Sequence, residues 1–182
     1  EQPLIDEFHL LAYTKQPSGE FVESGDITDD LLGKSISLLV VSLSLDDASE
    51  KGMKQIVALG DYVTDRNIEL HIATSSEVDV IEQWHREWGS PNVNYAQMDE
   101  LTLKTIVRSN PGLLLLNEGT IGAKWSSRNL PSESKLNEII AQLETEEKRL
   151  PNNKSSSSLL IICAIFVIPL LGLKWYDRRS VN

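Results

Sequence analysis

An apolar run at residues 35–45 is the feature that most limits the folds open to this chain. The run reads SISLLVVSLSL, and its centre is apolar at consecutive positions rather than at alternate ones. A strand without alternation is covered on both faces, as in the middle of a sheet that carries helices on each side. The run therefore predicts a central strand in an α/β domain.

The segments around this run predict the remaining strands and helices in a regular order. Before it, two β-prone stretches flank a turn at Gln16-Pro17-Ser18-Gly19 and predict a hairpin. After it, helical patterns alternate with the predicted strands IELHIAT and VNYAQM. GLLLL and TIGAKW, joined by a turn at residues 117–119, predict a second hairpin, and a helix capped by Ser132 follows over residues 132–148. This order predicts a three-layer α/β domain.

Polar residues mark where the predicted helices begin. Asp47 with Glu50, and Ser76 with Asp79, have the three-residue spacing of a capping box, in which each side chain binds a free backbone N–H. Asp99 stands before a third helical pattern and is a favoured N-cap residue. We therefore expect helices to begin at these three points.

The charge of the chain excludes one class of partner. The sequence holds 27 acidic and 17 basic residues and has a formal net charge of −10. A surface this acidic repels phosphate backbones, so we expect no nucleic-acid partner. The GxGxxG, P-loop, GxSxG and HExxH motifs do not occur, and we predict no cofactor.

A second apolar run, residues 159–173, contains no charge. A spanning helix needs about 17–25 residues, a length that the flanking serine and aromatic residues complete. We predict a soluble domain at 1–150, a polar linker at 151–158, a transmembrane helix at 159–176 and a basic tail at 177–182. A buried core helix or an amphipathic segment is the alternative. The predicted membrane anchor includes Leu159, Cys163, Phe166, Pro169, Trp175 and Tyr176.

Basic residues bear on the orientation of this predicted helix. Three precede the apolar run at residues 159–173 and three follow it, but those of the KWYDRR cluster lie closer to the membrane edge. This placement favours a cytoplasmic tail and an external domain. The chain begins at Glu1 without a signal-peptide pattern, so we expect a processed or truncated start.

Two stretches resemble the thioredoxin fold in its TlpA and peroxiredoxin-like form. They are DDLLGKSISLLVVSLSLDDAS and SNPGLLLLNEGTIGAKW, and the opening hairpin resembles the N-terminal extension of the TlpA-like branch. The run LTLKTIVRSNPGLLLLNEGTI is similar to the C-terminal domain of bacterial DoxX-family membrane proteins. Together these resemblances cover roughly residues 6–131.

The resemblance implies a thioredoxin-like three-layer sandwich with an N-terminal hairpin. It implies a cis peptide bond between Asn110 and Pro111, in a loop that faces the active-site helix and binds extended peptides. It also implies a bacterial inner-membrane location, with the soluble domain in the periplasm.

The sequence departs from that family where thioredoxins carry CxxC, just after the first core strand. Here it reads Leu45-Asp46-Asp47-Ala48-Ser49, and the single cysteine, Cys163, lies in the second apolar run. Thiol–disulfide exchange needs a thiolate, so we exclude a dithiol oxidoreductase and assign no catalytic residue. We expect a non-catalytic interaction or accessory module of the cell envelope, with candidate interaction residues Asn110, Pro111, Asp46 and Asp47.

Two other functions stay open. One is an accessory subunit, or C-terminal part, of a DoxX-type redox complex whose cysteines belong to another chain; the partner is then a multi-span membrane protein. The other is an unrecognised enzyme that uses acidic residues around Asp46, Asp47 and the Asn110 loop.

The tryptophans Trp84 and Trp88 lie four residues apart on one predicted helix and share a face. Such a pair is typical of a core or domain-interface anchor. A partner-binding patch is the alternative, because tryptophans are common hot spots in interfaces.

Neither the histidines nor the acidic clusters have the spacing of a metal site. His9, His71 and His85 fall on three different predicted elements, with His71 on the polar side of its strand. The DITDD stretch at residues 26–30 lacks the EF-hand pattern and predicts a polar turn. At residues 46–47 a helix cap beside a solvated aspartate is favoured over metal binding. We predict no metal.

Overall fold

A computed structural model describes residues 9–149, with side chains to residue 145, and centres on a seven-stranded mixed sheet. The strands are β1 (Leu11–Lys15), β2 (Phe21–Asp26), β3 (Ile36–Ser42), β4 (Leu70–Thr74), β5 (Val93–Gln97), β6 (Gly112–Asn117) and β7 (Thr120–Ser126). Their order in the sheet is β2-β1-β5-β4-β3-β6-β7. β3, β4 and β5 run parallel to one another, and the remaining pairs are antiparallel.

Five helices accompany the sheet within the described residues. They are α1 (Thr28–Leu32), α2 (Glu50–Thr64), α3 (Val78–Trp88), α4 (Glu100–Ile106) and α5 (Glu133–Arg149). The interpretation of residues 26–30 as a polar turn is wrong in part, because α1 begins within them. The Asp26 carboxylate accepts the Thr28 N–H at 2.9 Å, and Leu31 of the short helix is buried.

The central position predicted for the 35–45 run is confirmed. Every residue of β3 is buried, and its side chains alternate between two apolar clusters on opposite faces of the sheet. Leu38 and Val40 pack in the cluster that holds α2, α3 and α5. Leu39 and Val41 pack in the cluster that holds α1 and α4. The predicted three-layer α/β architecture follows from this double coverage.

The predicted capping boxes at Asp47 and Ser76 are wrong. Ser49 caps α2, since its hydroxyl accepts the Gly52 N–H at 3.3 Å, while Asp47 lies in the preceding turn. The Ser76 hydroxyl accepts the Leu45 N–H at 2.9 Å instead of capping α3. The Ser76 side chain therefore bonds to a residue that is distant in sequence, although the local pattern predicted that it would cap α3.

Two later helix starts agree with the sequence. Asp99 caps α4 by accepting the Thr102 N–H at 2.8 Å. Ser132 accepts the Lys135 N–H at 3.3 Å before α5. Both caps depend only on residues within one turn, which explains why local sequence is sufficient to predict them.

His71 is buried, which corrects its assignment to the polar side of a strand. It lies on β4, opposite Leu39 of β3, and both faces of this part of the sheet are covered. Its Nε2 lies 2.9 Å from a Glu69 carboxylate oxygen, and Glu69 also pairs with Lys34. The Nδ1 atom has no hydrogen-bond partner among the described residues.

We expect the stability of the domain to fall as the pH drops below the ordinary histidine value of about 6.5. Burial lowers the pKa of His71, and nearby Lys34 lowers it further, while the bond to Glu69 partly opposes them. The unfolded chain then binds a proton more readily than the folded one, so stability is full above that pH and is lost below it.

Urea denaturation of the natural chain and of His71→Leu, compared between about pH 7.5 and 5.5, measures this effect. The loss of unfolding free energy over that range should be smaller in the variant. A remainder is expected from His85, because burial lowers its pKa as well. An equal loss in the two proteins would show that His71 does not titrate with unfolding.

Within residues 9–149, each helix is too short or too polar to cross a membrane. The predicted linker, transmembrane helix and tail at 151–182 lie outside the described residues.

Candidate functional site

The start of α2 and the loop between α4 and β6 meet at one end of the sheet. The Asn110–Pro111 peptide bond is cis, which confirms the expectation from the resemblance. The Ser49 N–H donates to the Asn110 carbonyl at 3.1 Å, and Pro111 is buried beside it. The residue that caps the helix is therefore tied directly to the loop.

The Asn110 side chain holds this loop against the end of β3. Its Nδ2 donates to the Ser44 carbonyl at 2.7 Å, and its Oδ1 accepts from the buried Ser42 hydroxyl at 2.8 Å. Because the Asn110 amide bonds both to a donor and to an acceptor at the end of β3, the two bonds fix the position and the orientation of the loop.

We expect Asn110→Ala to lower the free energy of unfolding by about 1–3 kcal/mol, because it removes two partly buried hydrogen bonds. Ser109→Ala is the matched control, since the Ser109 hydroxyl makes no hydrogen bond to any described residue. That control should change stability by less than about 0.5 kcal/mol. Chemical denaturation measures both, and equal effects would contradict the assigned role of Asn110.

Two residues at the helix start have the spacing of a CxxC motif. They are the cap residue Ser49 and Gly52, three positions on, which is buried against the loop. An ideal Cβ built on Gly52 lies 3.5 Å from Pro111 Cδ, 3.5 Å from Ser49 Cβ and 3.3 Å from Ser127 Cβ. Residues 45–49, which the resemblance compares with the redox motif, form the turn before α2 and its cap residue.

No general base is hydrogen-bonded to the Ser49 hydroxyl among the described residues. Its hydroxyl accepts the Gly52 N–H, and no described histidine or carboxylate bonds to it. A serine nucleophile needs an adjacent general base to take its proton. Residues 49 and 52 therefore offer no thiol, and the described residues place no base on the Ser49 hydroxyl.

An open groove of about 950 Å³ lies beside this junction. It is lined by Asp47 and Ser49, by residues 105–110 and by residues 124–128. Its charged side chains are Asp47 and three basic residues, Arg108, Lys124 and Arg128. We call it the basic groove. Sequence spacing could not reveal it, because its walls come from three separated segments.

A smaller cleft of about 210 Å³ lies at the other side of the α2 start. Asp46, Glu50, Glu87 and the two candidate tryptophans line it, and we call it the tryptophan cleft.

The two tryptophans differ in burial. Trp84 is 9% exposed and belongs to the core, whereas Trp88 is 36% exposed. The Lys54 ammonium lies 3.9 Å from the centre of the Trp88 ring and pairs with Glu50 at 2.6 Å. One face of Trp88 is therefore already covered by a side chain of its own domain.

The candidate residues at the helix start are separated by the structure. Asp47 lines the basic groove together with Asn110, whereas Asp46 lines the tryptophan cleft, and both aspartates are exposed. In residues 9–149, His, Cys, Asp and Glu side chains form no group of three that could hold a metal ion.

Comparison with solved structures agrees with this architecture. A reduced 2-Cys peroxiredoxin from Plasmodium vivax aligns with 81% of this chain and 85% of its own, at 18% identity and a TM-score of 0.53. A yeast mitochondrial 1-Cys peroxiredoxin aligns with 72% and 76%, at 16% identity and a TM-score of 0.52. A putative thioredoxin from Neisseria meningitidis aligns with 82% and 94%, at 15% identity and a TM-score of 0.50.

No protein-family model and no curated protein matches the sequence. At identities this low, structural likeness bears on architecture rather than on activity. The chain has a thioredoxin-like fold.

Proposed function

We propose that this chain is a membrane-anchored, redox-inactive thioredoxin-like module that binds an extended segment of a partner protein in the basic groove. The observation that carries the proposal is the junction of α2 with the Asn110–Pro111 loop. That junction borders an open groove, and the two residues with CxxC spacing at the helix start are Ser49 and Gly52, neither of which is a thiol.

The lack of thiols at this junction supports a binding role. Neither a hydroxyl nor a hydrogen atom can attack a disulfide, so residues 49 and 52 cannot exchange electrons with a partner. Cys163 belongs to the predicted membrane segment, where a thiol stays protonated. A groove without a reactive thiol can still bind a peptide.

The backbone around the groove supports an extended ligand. The N–H groups of Arg108 and Ser109 donate to no other described group, although both residues line the groove. Free backbone donors beside a groove are the groups that an extended peptide pairs with. The resemblance to peptide-binding loops of this fold points the same way.

The proposed location follows from the sequence. The predicted helix at residues 159–176 anchors the module in a bacterial inner membrane, and the basic cluster after the apolar run at 159–173 favours a domain on the periplasmic side. The partner is then a membrane or envelope protein, and a multi-span redox protein of the DoxX type is one candidate.

A groove-blocking variant tests the proposal. Peptides selected on the full chain from a random display library should bind about tenfold more weakly to Ser127→Trp, because the indole fills the groove. Ser18→Trp, in the exposed β1–β2 turn, is the matched control and should bind normally. Failure to select any peptide, or equal binding by both variants, would count against the proposal.

A further inference from the structure

We infer that the segment bound in the basic groove is acidic, with carboxylates paired to Arg108 and Arg128. The inference rests on the proposed function and adds the chemical class of the ligand.

The charge of the groove is opposite to that of the chain. Acidic residues outnumber basic ones by 27 to 17 in the sequence, yet three of the four charged side chains that line the groove are basic. A local excess of positive charge in an acidic protein concentrates the field within the groove and attracts anionic ligands. The groove is therefore a positively charged surface on a negatively charged protein, and it can attract a ligand that is itself acidic.

The two arginines are available for a ligand. Both are exposed, and neither pairs with a carboxylate among the described residues. Elsewhere in residues 9–149, lysines commonly pair with acidic neighbours, as Lys54 does with Glu50 and Lys104 with Glu100. Arginine also presents a planar fork of donors that binds a carboxylate through two hydrogen bonds.

Lys124 completes the positive wall from the edge strand β7. Its ammonium group donates to the Ile106 carbonyl at the end of α4, which holds it across the groove. The first turn of α2 adds the partial positive charge of a helix N-terminus, which the Glu50 carboxylate in the same turn partly offsets. Asp47 is the one opposing charge in the lining, and it is exposed to solvent.

The dimensions favour a peptide over a small anion or a nucleic acid. A groove of about 950 Å³ greatly exceeds the volume of one phosphate group. The net charge of −10 repels a polyanionic backbone outside the groove. An extended acidic peptide instead directs its carboxylates to one side at alternate residues. Its backbone carbonyls can then accept hydrogen bonds from the N–H groups of Arg108 and Ser109.

Three peptide libraries test the inference on the full chain in detergent. Each holds random peptides of about nine residues, which span about 30 Å when extended. The libraries differ only at alternate positions. These positions carry Asp or Glu in the acidic library, Asn or Gln in the amide library, and Lys or Arg in the basic library. Selection is repeated on Arg108→Gln/Arg128→Gln and on Lys15→Gln/Arg86→Gln, a matched control whose exposed charges lie at a different pocket.

We expect the acidic library to give the tightest binders, at least about tenfold tighter than the amide library at low salt. Their binding should weaken as salt rises and should be lost in the double arginine variant but not in the control. Equal binding of amide and acidic peptides, still blocked by Ser127→Trp, would overturn the inference and leave the proposed function standing. Failure of all three libraries would overturn both. Displacement of acidic peptides by inorganic phosphate at equal concentration would also overturn the inference, since the groove would then recognise an anion alone.

Discussion

The Ser49→Cys/Gly52→Cys double variant is expected to gain a disulfide bond and to reduce a disulfide substrate faster than the natural chain. An ideal Cβ on Gly52 lies 3.5 Å from Ser49 Cβ, at the edge of the range of about 3.5–4.5 Å that disulfides require. The cysteine at position 49 would sit at the N-terminus of α2 near basic residues, and both features lower the pKa of a thiol.

The oxidation can be followed by counting thiols in a Cys163→Ser background. Oxidised glutathione takes up two electrons, the two cysteine thiols lose their protons to form one S–S bond, and two glutathione thiols leave. Free thiols per chain should fall from two to none, and the reduced protein should accelerate reduction of a disulfide substrate. A Ser49→Cys/Lys51→Cys variant is the control, because residues two apart on a helix do not face each other. Activity no higher than that control would show that the helix start lacks the geometry we assign to it.

A chain that ends at residue 150 is expected to move from the membrane fraction to the soluble fraction. The sequence that is removed contains the whole apolar run at 159–173, which supplies the proposed attachment. Loss of a spanning helix removes attachment almost completely, because one such helix holds a protein in the bilayer effectively irreversibly.

Membrane fractionation and a protease added to spheroplasts measure both parts of this prediction. A chain that ends at residue 176, lacking only the basic tail, should stay with the membrane. In the full chain, external protease should digest the domain if it is periplasmic. Membrane retention of the chain that ends at residue 150 would contradict the anchor, and protection from protease would reverse the proposed orientation.

Local patterns were sufficient to predict much of the fold. The continuous apolar run of β3 predicted a strand covered on both faces, and the two hairpins followed from their turn residues. Asp99 and Ser132 cap helices through groups within one turn of themselves. The thioredoxin-like architecture came from the order of these elements together with the resemblance of two stretches.

The start of α2 and the burial of His71 needed tertiary information. Leu45 is buried and starts a turn that continues to Ala48, so the helix begins later than the capping pattern at Asp47 suggested. The alternation of apolar and polar residues around His71 indicated a half-exposed strand, but β4 lies inside a sheet that is covered on both faces.

The candidate site was predicted only in part. The Asn110–Pro111 loop could be located from its resemblance, and the structure places it against the helix start. Gly52 has no side chain to mark it as a site residue. Arg108 and Arg128 are brought to one groove by the β6–β7 hairpin, which separates them in the sequence. Their shared location is a property of the folded chain.

We propose that the groove beside the start of α2 is the binding surface. Backbone amide NMR shifts of the full chain, recorded during titration with a selected acidic peptide, test it most directly. We expect the largest shift changes at residues 47–52, 105–110 and 124–128. Changes concentrated instead around the tryptophan cleft or the β1–β2 hairpin would place the ligand elsewhere and contradict the account.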